Sequence, residues 1–242
     1  VNELMRRGHT AIGSDLAPQY SGIADGSAVT TAPYYPMDIT DPASVENTIT
    51  EVCPDVVIHC AAWTAVDAAE DEENAEKVRA INAGGTQNIA AVCKELGCKM
   101  MYISTDYVFD GQGETPWQPD HKAYAPLNVY GQTKLEGELA VAEALEKFFI
   151  VRIAWVFGIN GKNFIRTMLD IGKKYDTIRV VNDQIGTPTY AADLALAIYK
   201  ILMSHQWVEG VYHYSKEGAC SWYDFTKAIH RIAGIKECEV KP

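Results

Sequence analysis

Lys99-Met100-Met101-Tyr102-Ile103-Ser104-Thr105-Asp106 is the stretch whose reading decides the fold. An apolar run from Met100 to Ile103 that ends on two hydroxyls and an acid has the pattern of a strand buried on both faces of a parallel sheet. Working outward, Glu73 to Leu96 predicts a long helix closed by Gly97. Asp55 to Cys60 upstream is a second near-continuous apolar strand. Downstream come a loop with Gly111, Gly113, Pro116 and Pro119, a helix from about Val129 to Lys147, and a strand from Phe149 to Ala154. The alternation of strand and helix predicts an α/β fold with a doubly wound, Rossmann-like parallel sheet.

The ends are less regular. Val1, Leu4 and Met5 recur at helical spacing before Gly8, Thr10 to Ser14 reads as a short strand ending at Asp15, and Pro18 to Pro33 reads as an irregular loop. Asp41 and Pro42 have the chemistry of an N-cap and a first helical residue, so a helix is expected through Val52. An open nucleotide-binding sheet normally begins with a strand and a Gly-rich turn before its first helix. Both are absent from this chain. A strand of about six apolar residues at roughly 1.5–3 kcal/mol each represents on the order of 10 kcal/mol, comparable to a domain's net stability. The expectation is that Val1 is not the natural start and, since no last element is evident at Lys241-Pro242, that the chain is clipped at both ends. After Gly161 the elements shorten: helices near Phe164–Lys173, Thr189–Met203 and Trp222–Ala233, and strands near Ile178–Val181 and Val211–Tyr214. They suggest a division into 1–158 and a smaller α/β region, 159–242.

The 242 residues carry a formal charge of −11, which argues against nucleic acid or an anionic membrane as partner because phosphates would be repelled. There is no run of about eighteen apolar residues and no signal-peptide layout at Val1 to Gly8, so a soluble, cytoplasmic protein is expected. The six cysteines show no C-x-x-C and read as reduced, mostly buried thiols. The six histidines show no metal-ligand spacing, so no metal is expected, and His59 reads as a strand residue.

Tyr-x-x-x-Lys occurs three times, at Tyr130/Lys134, Tyr212/Lys216 and Tyr223/Lys227. Context separates the first, which alone opens a helix following a strand that ends in hydroxyls. At i and i+4 the phenol and ammonium share a helix face, so the charge is expected to lower the phenol pKa. Such a tyrosine can give a proton to a carbonyl oxygen as hydride reaches the carbon. Thr105 or Ser104 would hydrogen-bond the same oxygen. The competing reading is a surface helix with an ordinary lysine and a packed tyrosine.

Ser104 to Gly111 followed by Tyr130-Gly131-Gln132-Thr133-Lys134 resembles the extended short-chain dehydrogenase/reductases, and within them the dTDP-4-dehydrorhamnose reductase family. Ala61 to Glu70, Asn82 to Asn88, Arg152 to Gly158, Gly161 to Phe164 and Asp183 to Thr189 are also similar, so the resemblance spans nearly the whole chain. It implies a catalytic triad of Thr105, Tyr130 and Lys134, with Lys134 also holding the nicotinamide ribose of NADH or NADPH. Asp38 and Ile39 would flank the adenine, and Ala61, Ala62 and Trp63 would line the cofactor channel. Asp15 could accept bonds from a ribose 2′-hydroxyl and favour NADH; a surface-turn aspartate is the rival reading. Thr64, Val66, Asp106, Tyr107 and Trp155 would contact a dTDP-sugar, with strand core the rival reading of Trp155. The resemblance makes 1–158 the dinucleotide-binding part and 159–242 the sugar-nucleotide part. It implies reduction of the 4-keto group of dTDP-4-dehydro-L-rhamnose to dTDP-L-rhamnose and is compatible with a homodimer. The alternatives are a sugar-nucleotide epimerase or dehydratase, and a non-catalytic subunit like the regulatory subunit of methionine adenosyltransferase. The Gly-rich loop is where the pattern departs from the family, which leaves the pyrophosphate site unaccounted for.

Overall fold

The computed structural model describes residues 1–20, 29–204 and 206–242. In chain order its elements are α1 (Asn2–Arg6), β1 (Gly13–Asp15), β2 (Tyr34–Pro36), α2 (Pro42–Val52), β3 (Val56–His59), α3 (Glu72–Arg79), α4 (Gly85–Leu96), β4 (Lys99–Thr105), α5 (Val129–Ala144), β5 (Phe148–Ile153) and β6 (Val156–Phe157). They continue with α6 (Phe164–Lys174), β7 (Thr177–Arg179), β8 (Ile185–Gly186), β9 (Thr189–Tyr190), α7 (Ala191–Leu202), β10 (Gly210–Tyr214), β11 (Cys220–Ser221), α8 (Trp222–Ala233) and β12 (Glu239–Lys241).

β4 is the strand the sequence points to. It pairs in parallel with β3 on one side and β5 on the other, in a sheet of order β10-β5-β4-β3. Its two neighbours and the helices on it leave Met100, Met101 and Tyr102 without solvent contact. Burying each such side chain is worth about 1.5–3 kcal/mol, which fixes the register of the strand. α2, α4 and α5 supply Val45, Ile89 and Val141 to the same core. β3 is less covered than expected: Val56, Val57 and Ile58 are half-buried, because among the described residues β3 has only one neighbouring strand. β1 and β2 pair in parallel with each other. Of the expected loop Pro18 to Pro33, residues 21–28 lie outside the described residues.

Helix signals act as their chemistry requires. The Asp41 carboxylate accepts from the Ala43 amide at 3.0 Å, and Pro42 occupies the first turn of α2. Gly97 closes α4 in the left-handed conformation, φ +68°. The expected single helix from Glu73 to Leu96 is interrupted by a π turn at Ala80–Gly84. The extra residue lets Gly85 meet Ile39, where an added Cβ would sit 2.6 Å from Ile39 Cγ1.

The described chain forms two compact units, Val1–Ile153 with Ser204–His213, and Ala154–Met203 with Tyr214–Pro242. The return of 204–213 to the first unit has a simple cause. β10 adds to β5, extending the sheet instead of the smaller region. In the second unit β12 pairs in parallel with β7, so the C-terminal residues carry a strand that the sequence did not announce. β6 pairs with β9 and β8 with β11. Trp155 and Trp222 stack with ring centroids 3.4 Å apart, beside Phe225 and Phe164. Trp155 has φ +48°, a left-handed conformation that costs a non-glycine residue about 1–2 kcal/mol. All six cysteines are free; Cys93, Cys98 and Cys238 are buried, while Cys53 and Cys60 are exposed and Cys220 is half-buried, fewer buried thiols than expected.

Candidate active site

Two elements meet where β4 ends. Thr105 begins a short 3₁₀ turn and its hydroxyl accepts from the Tyr107 amide at 3.2 Å. α5 starts opposite, held by the Asn128 side chain on the Gly131 amide (2.7 Å) and the Glu70 carboxylate on the Val129 amide (2.7 Å). Gly131 is required here, because a Cβ would collide with the Tyr107 carbonyl. The close approach brings the Tyr130 phenol next to the Thr105 side chain. The Thr105 hydroxyl donates to Asp106 Oδ1 at 3.2 Å. Tyr107 meets Tyr130 edge to face, centroids 5.8 Å apart.

Lys134, one turn along α5, is 2 % exposed. Its Nζ donates to the Ile103 carbonyl at 2.8 Å and lies 4.1 Å from the centre of the Tyr102 ring. Burial pulls the ammonium down to about 7, against the nearby Glu138 and Cys60, which raise it. Burial likewise pushes the Tyr130 phenol up to about 12; the neighbouring Thr105 opposes this, and Asp106 and Tyr107 add to it. This corrects the sequence expectation: Lys134 does not lower the phenol, because its charge is directed at Ile103 and Tyr102 and desolvation dominates. Ser104 is also corrected. Strand alternation turns it away from Thr105, and its hydroxyl is buried without a partner among the described residues.

Asp106 and Cys60 are solvent-exposed, yet burial raises the pKa of both. After Cys60, Ala61 is exposed and Ala62 and Trp63 are half-buried. Asn82, inside the π turn, grips Trp63 by both backbone groups: its Oδ1 takes the amide at 2.8 Å and its Nδ2 reaches the carbonyl at 3.3 Å. The same Nδ2 bonds the Thr133 hydroxyl at 3.1 Å, tying this loop to α5.

The other expected residues have visible local tasks. Asp15 Oδ1 accepts from the Leu16 amide at 2.7 Å at the end of β1. Asp38 Oδ1 accepts from the Thr40 hydroxyl and amide, which hold its carboxyl below the usual range. Ile39 packs on the core, and its carbonyl accepts from Asn88 at 2.9 Å. Thr64 is exposed and Val66, half-buried, caps a 3₁₀ turn. Trp155 belongs to the second unit. The two other Tyr/Lys pairs are spoken for: Lys216 binds Asp193 at 2.8 Å, and Lys227 lies over the Tyr223 ring.

Sequence reasoning missed four residues behind the site: Tyr102, Asn82, Glu138 and Arg152. A charged Arg152 in the apolar strand Phe148–Ile153 was the available signal. The donor set fits a nicotinamide ribose. Among the described residues Lys134 spends one of its three N–H groups, on Ile103, and two remain for a diol. No three His, Cys, Asp or Glu side chains gather to hold a metal ion among the described residues, and no helix there is long and apolar enough to cross a membrane.

The family model described as RmlD substrate binding domain matches residues 4–242. The chain belongs to that family. Among RmlD-family proteins, a dTDP-4-dehydrorhamnose reductase from Streptomyces griseus is 38 % identical over 235 residues, 96 % of this chain and 76 % of the relative. A dTDP-4-keto-6-deoxy-D-glucose reductase from Streptomyces niveus is 36 % identical over 232 residues, 96 % of this chain and 78 % of the relative. The crystal structure of a dTDP-4-dehydrorhamnose reductase from Bacillus anthracis in complex with NADP superposes with a TM-score of 0.81 at 42 % identity, over 87 % of this chain and 75 % of that one. The parallel sheet is thus the Rossmann-like sheet of the family.

Proposed function

We propose that this RmlD-family chain is an NAD(P)H-dependent oxidoreductase that reduces the 4-keto group of a dTDP-4-dehydro-6-deoxyhexose, giving dTDP-L-rhamnose from dTDP-4-dehydro-L-rhamnose. The observation that carries the reading is that Tyr130 and Thr105 face each other at the end of β4, with Lys134 one turn away along α5.

The bound nicotinamide supplies the hydride. Tyr130, protonated up to about 12, holds a proton ready for the carbonyl oxygen and needs no lowered pKa to act as an acid. Thr105 orients that oxygen through its hydroxyl. In the free protein that hydroxyl donates to the Asp106 carboxylate, and it turns from Asp106 to the substrate oxygen when that oxygen is bound. Lys134 offers its spare N–H groups to the ribose. Asp15, Asp38, Ile39, Ala61, Ala62 and Trp63 are the proposed cofactor contacts. Thr64, Val66, Asp106, Tyr107 and Trp155 are proposed for the sugar nucleotide; all of them lie within 1–158, the proposed dinucleotide-binding part, with 159–242 as the smaller sugar-nucleotide region. A cytoplasmic location and a homodimer go with this reading; sedimentation tests the assembly.

The test is net oxidation of NADH or NADPH in proportion to added dTDP-4-keto sugar. An epimerase or dehydratase gives no net oxidation, and a regulatory subunit gives no turnover. Either result overturns the reading. Tyr130→Phe is expected to lower kcat by about 10²–10⁴-fold.

A further inference from the structure

Tyr102 has no place in the mechanism above, yet the molecule is shaped to keep it. Its side chain is 0 % exposed in the central strand β4. A Phe would fill that space without a buried hydroxyl to satisfy, and the hydroxyl donates to the Lys134 carbonyl at 3.5 Å. α5 makes room for it through Gly137, where a Cβ would lie 2.6 Å from the Tyr102 hydroxyl and 2.9 Å from the Asn82 carbonyl oxygen. The ring carries two further contacts. Lys134 Nζ lies 4.1 Å from its centroid, and the His59 ring stacks on it at 5.4 Å and 20°.

We propose that Tyr102 is a positioning residue: its ring holds the Lys134 ammonium charged and aimed at the cofactor ribose, an assignment that rests on the reductase reading. An ammonium that buries its charge needs compensation, and one backbone carbonyl at 2.8 Å is a thin solvation shell. The face of a buried aromatic ring supplies negative potential where water is absent. The second aromatic partner is built not to compete. His59 donates from Nε2 to Thr86 Oγ1 (3.0 Å), because that hydroxyl gives its own proton to the Asn82 carbonyl at 2.7 Å. Burial and the Lys134 charge keep the imidazole neutral, with its pKa down at about 3. The other groups facing Lys134 are Cys60 after β3, Glu138 on its own helix and, behind Glu138, Arg152 of β5.

The experiment reads Lys134 directly, by ¹⁵N-lysine NMR titration of the full chain, alongside the pH profile of kcat/KM. In Tyr102→Phe the ring persists, so both titrations should match the parent. In Tyr102→Leu the Lys134 midpoint and the alkaline limb of kcat/KM should move together to lower pH by about one unit, with KM for the sugar nucleotide unchanged. If Tyr102→Leu does not fold, Tyr102→Phe carrying successive ring fluorines withdraws the ring's negative face at constant shape, and the midpoint should fall stepwise. An unmoved Lys134 midpoint in the folded Tyr102→Leu or across the fluorine series overturns the proposal. Failure of the reductase reading shows separately, as a parent that oxidises no cofactor while Lys134 still titrates with the ring.

Discussion

Arg152 and Glu138 form a two-pronged ion pair out of contact with water: Nε to Oε1 is 2.9 Å and Nη2 to Oε2 2.6 Å, with the side chains 1 % and 3 % exposed. Phe109 and Tyr124 lie against the guanidinium at 5.0 and 5.2 Å, and His213 of β10 approaches its Nη1 at 3.4 Å. The pair therefore ties α5, β5, β10 and the loop after β4 together beneath the candidate site. Removing one partner leaves an uncompensated charge, so Glu138→Ala should cost about 3–5 kcal/mol. Urea unfolding measures it, and Glu138→Ala combined with Arg152→Met should recover part of the loss.

His59 gives the protein an acid sensitivity. Its folded pKa, about 3, lies below the usual 6.5 because burial disfavours the charged ring. Between those values the unfolded chain binds a proton that the folded chain refuses. Stability is thus fully present above about 6.5 and is lost as pH falls toward 3, by an amount of order 5 kcal/mol. His59→Gln should flatten this part of the urea-midpoint profile relative to the parent.

Lys134 acts in the opposite window. Its folded pKa, about 7 against the usual 10.5, means that the folded chain releases a proton the unfolded chain keeps. Stability should rise between pH 7 and 10.5, while kcat/KM falls over the same range as the ammonium is lost. Unfolding and kinetics on one buffer series show the two trends diverging. Lys134→Met should remove the stability slope.

Gly131 and Gly186 test how closely the site is packed. A Cβ at 131 would collide with the Tyr107 carbonyl, so Gly131→Ala should push α5 away from Thr105 and lower kcat with little change in either KM. A Cβ at 186 would enter the Trp155 indole, so Gly186→Ala should displace Trp155 at a cost of about 1–3 kcal/mol. Because Trp155 is a proposed sugar-nucleotide contact, Gly186→Ala should raise KM for that substrate and leave KM for NAD(P)H unchanged.

Asp15 decides the cofactor in the proposed reading. Its second carboxylate oxygen lies at the exposed end of β1, where it would take a ribose 2′-hydroxyl and repel a 2′-phosphate. Asp15→Ala should shift the ratio of kcat/KM values toward NADPH, read by parallel assays with both cofactors.

Much of the layout was legible because it rests on local chemistry. Asp41-Pro42 and Gly97 mark helix ends through hydrogen bonds and φ preferences that involve only neighbours in sequence. Met100 to Ile103 marks a covered strand through composition alone. The π turn at Ala80–Gly84 was not legible, because it answers to Ile39 and to Trp63, both distant in sequence. Nor was the return of 204–213, which follows from an open edge on β5 that only the assembled sheet presents.

By itself the sequence determined the strand–helix alternation, the hydroxyl at the end of β4 and the residue types Thr105, Tyr130 and Lys134. Tertiary structure alone decided their electrostatics. A phenol and an ammonium four residues apart suggest mutual stabilisation, yet burial raises Tyr130 to about 12 and lowers Lys134 to about 7. Desolvation depends on everything packed around a group, on Tyr102, Glu138 and Ile103 as much as on the helix, and no spacing along the chain encodes it.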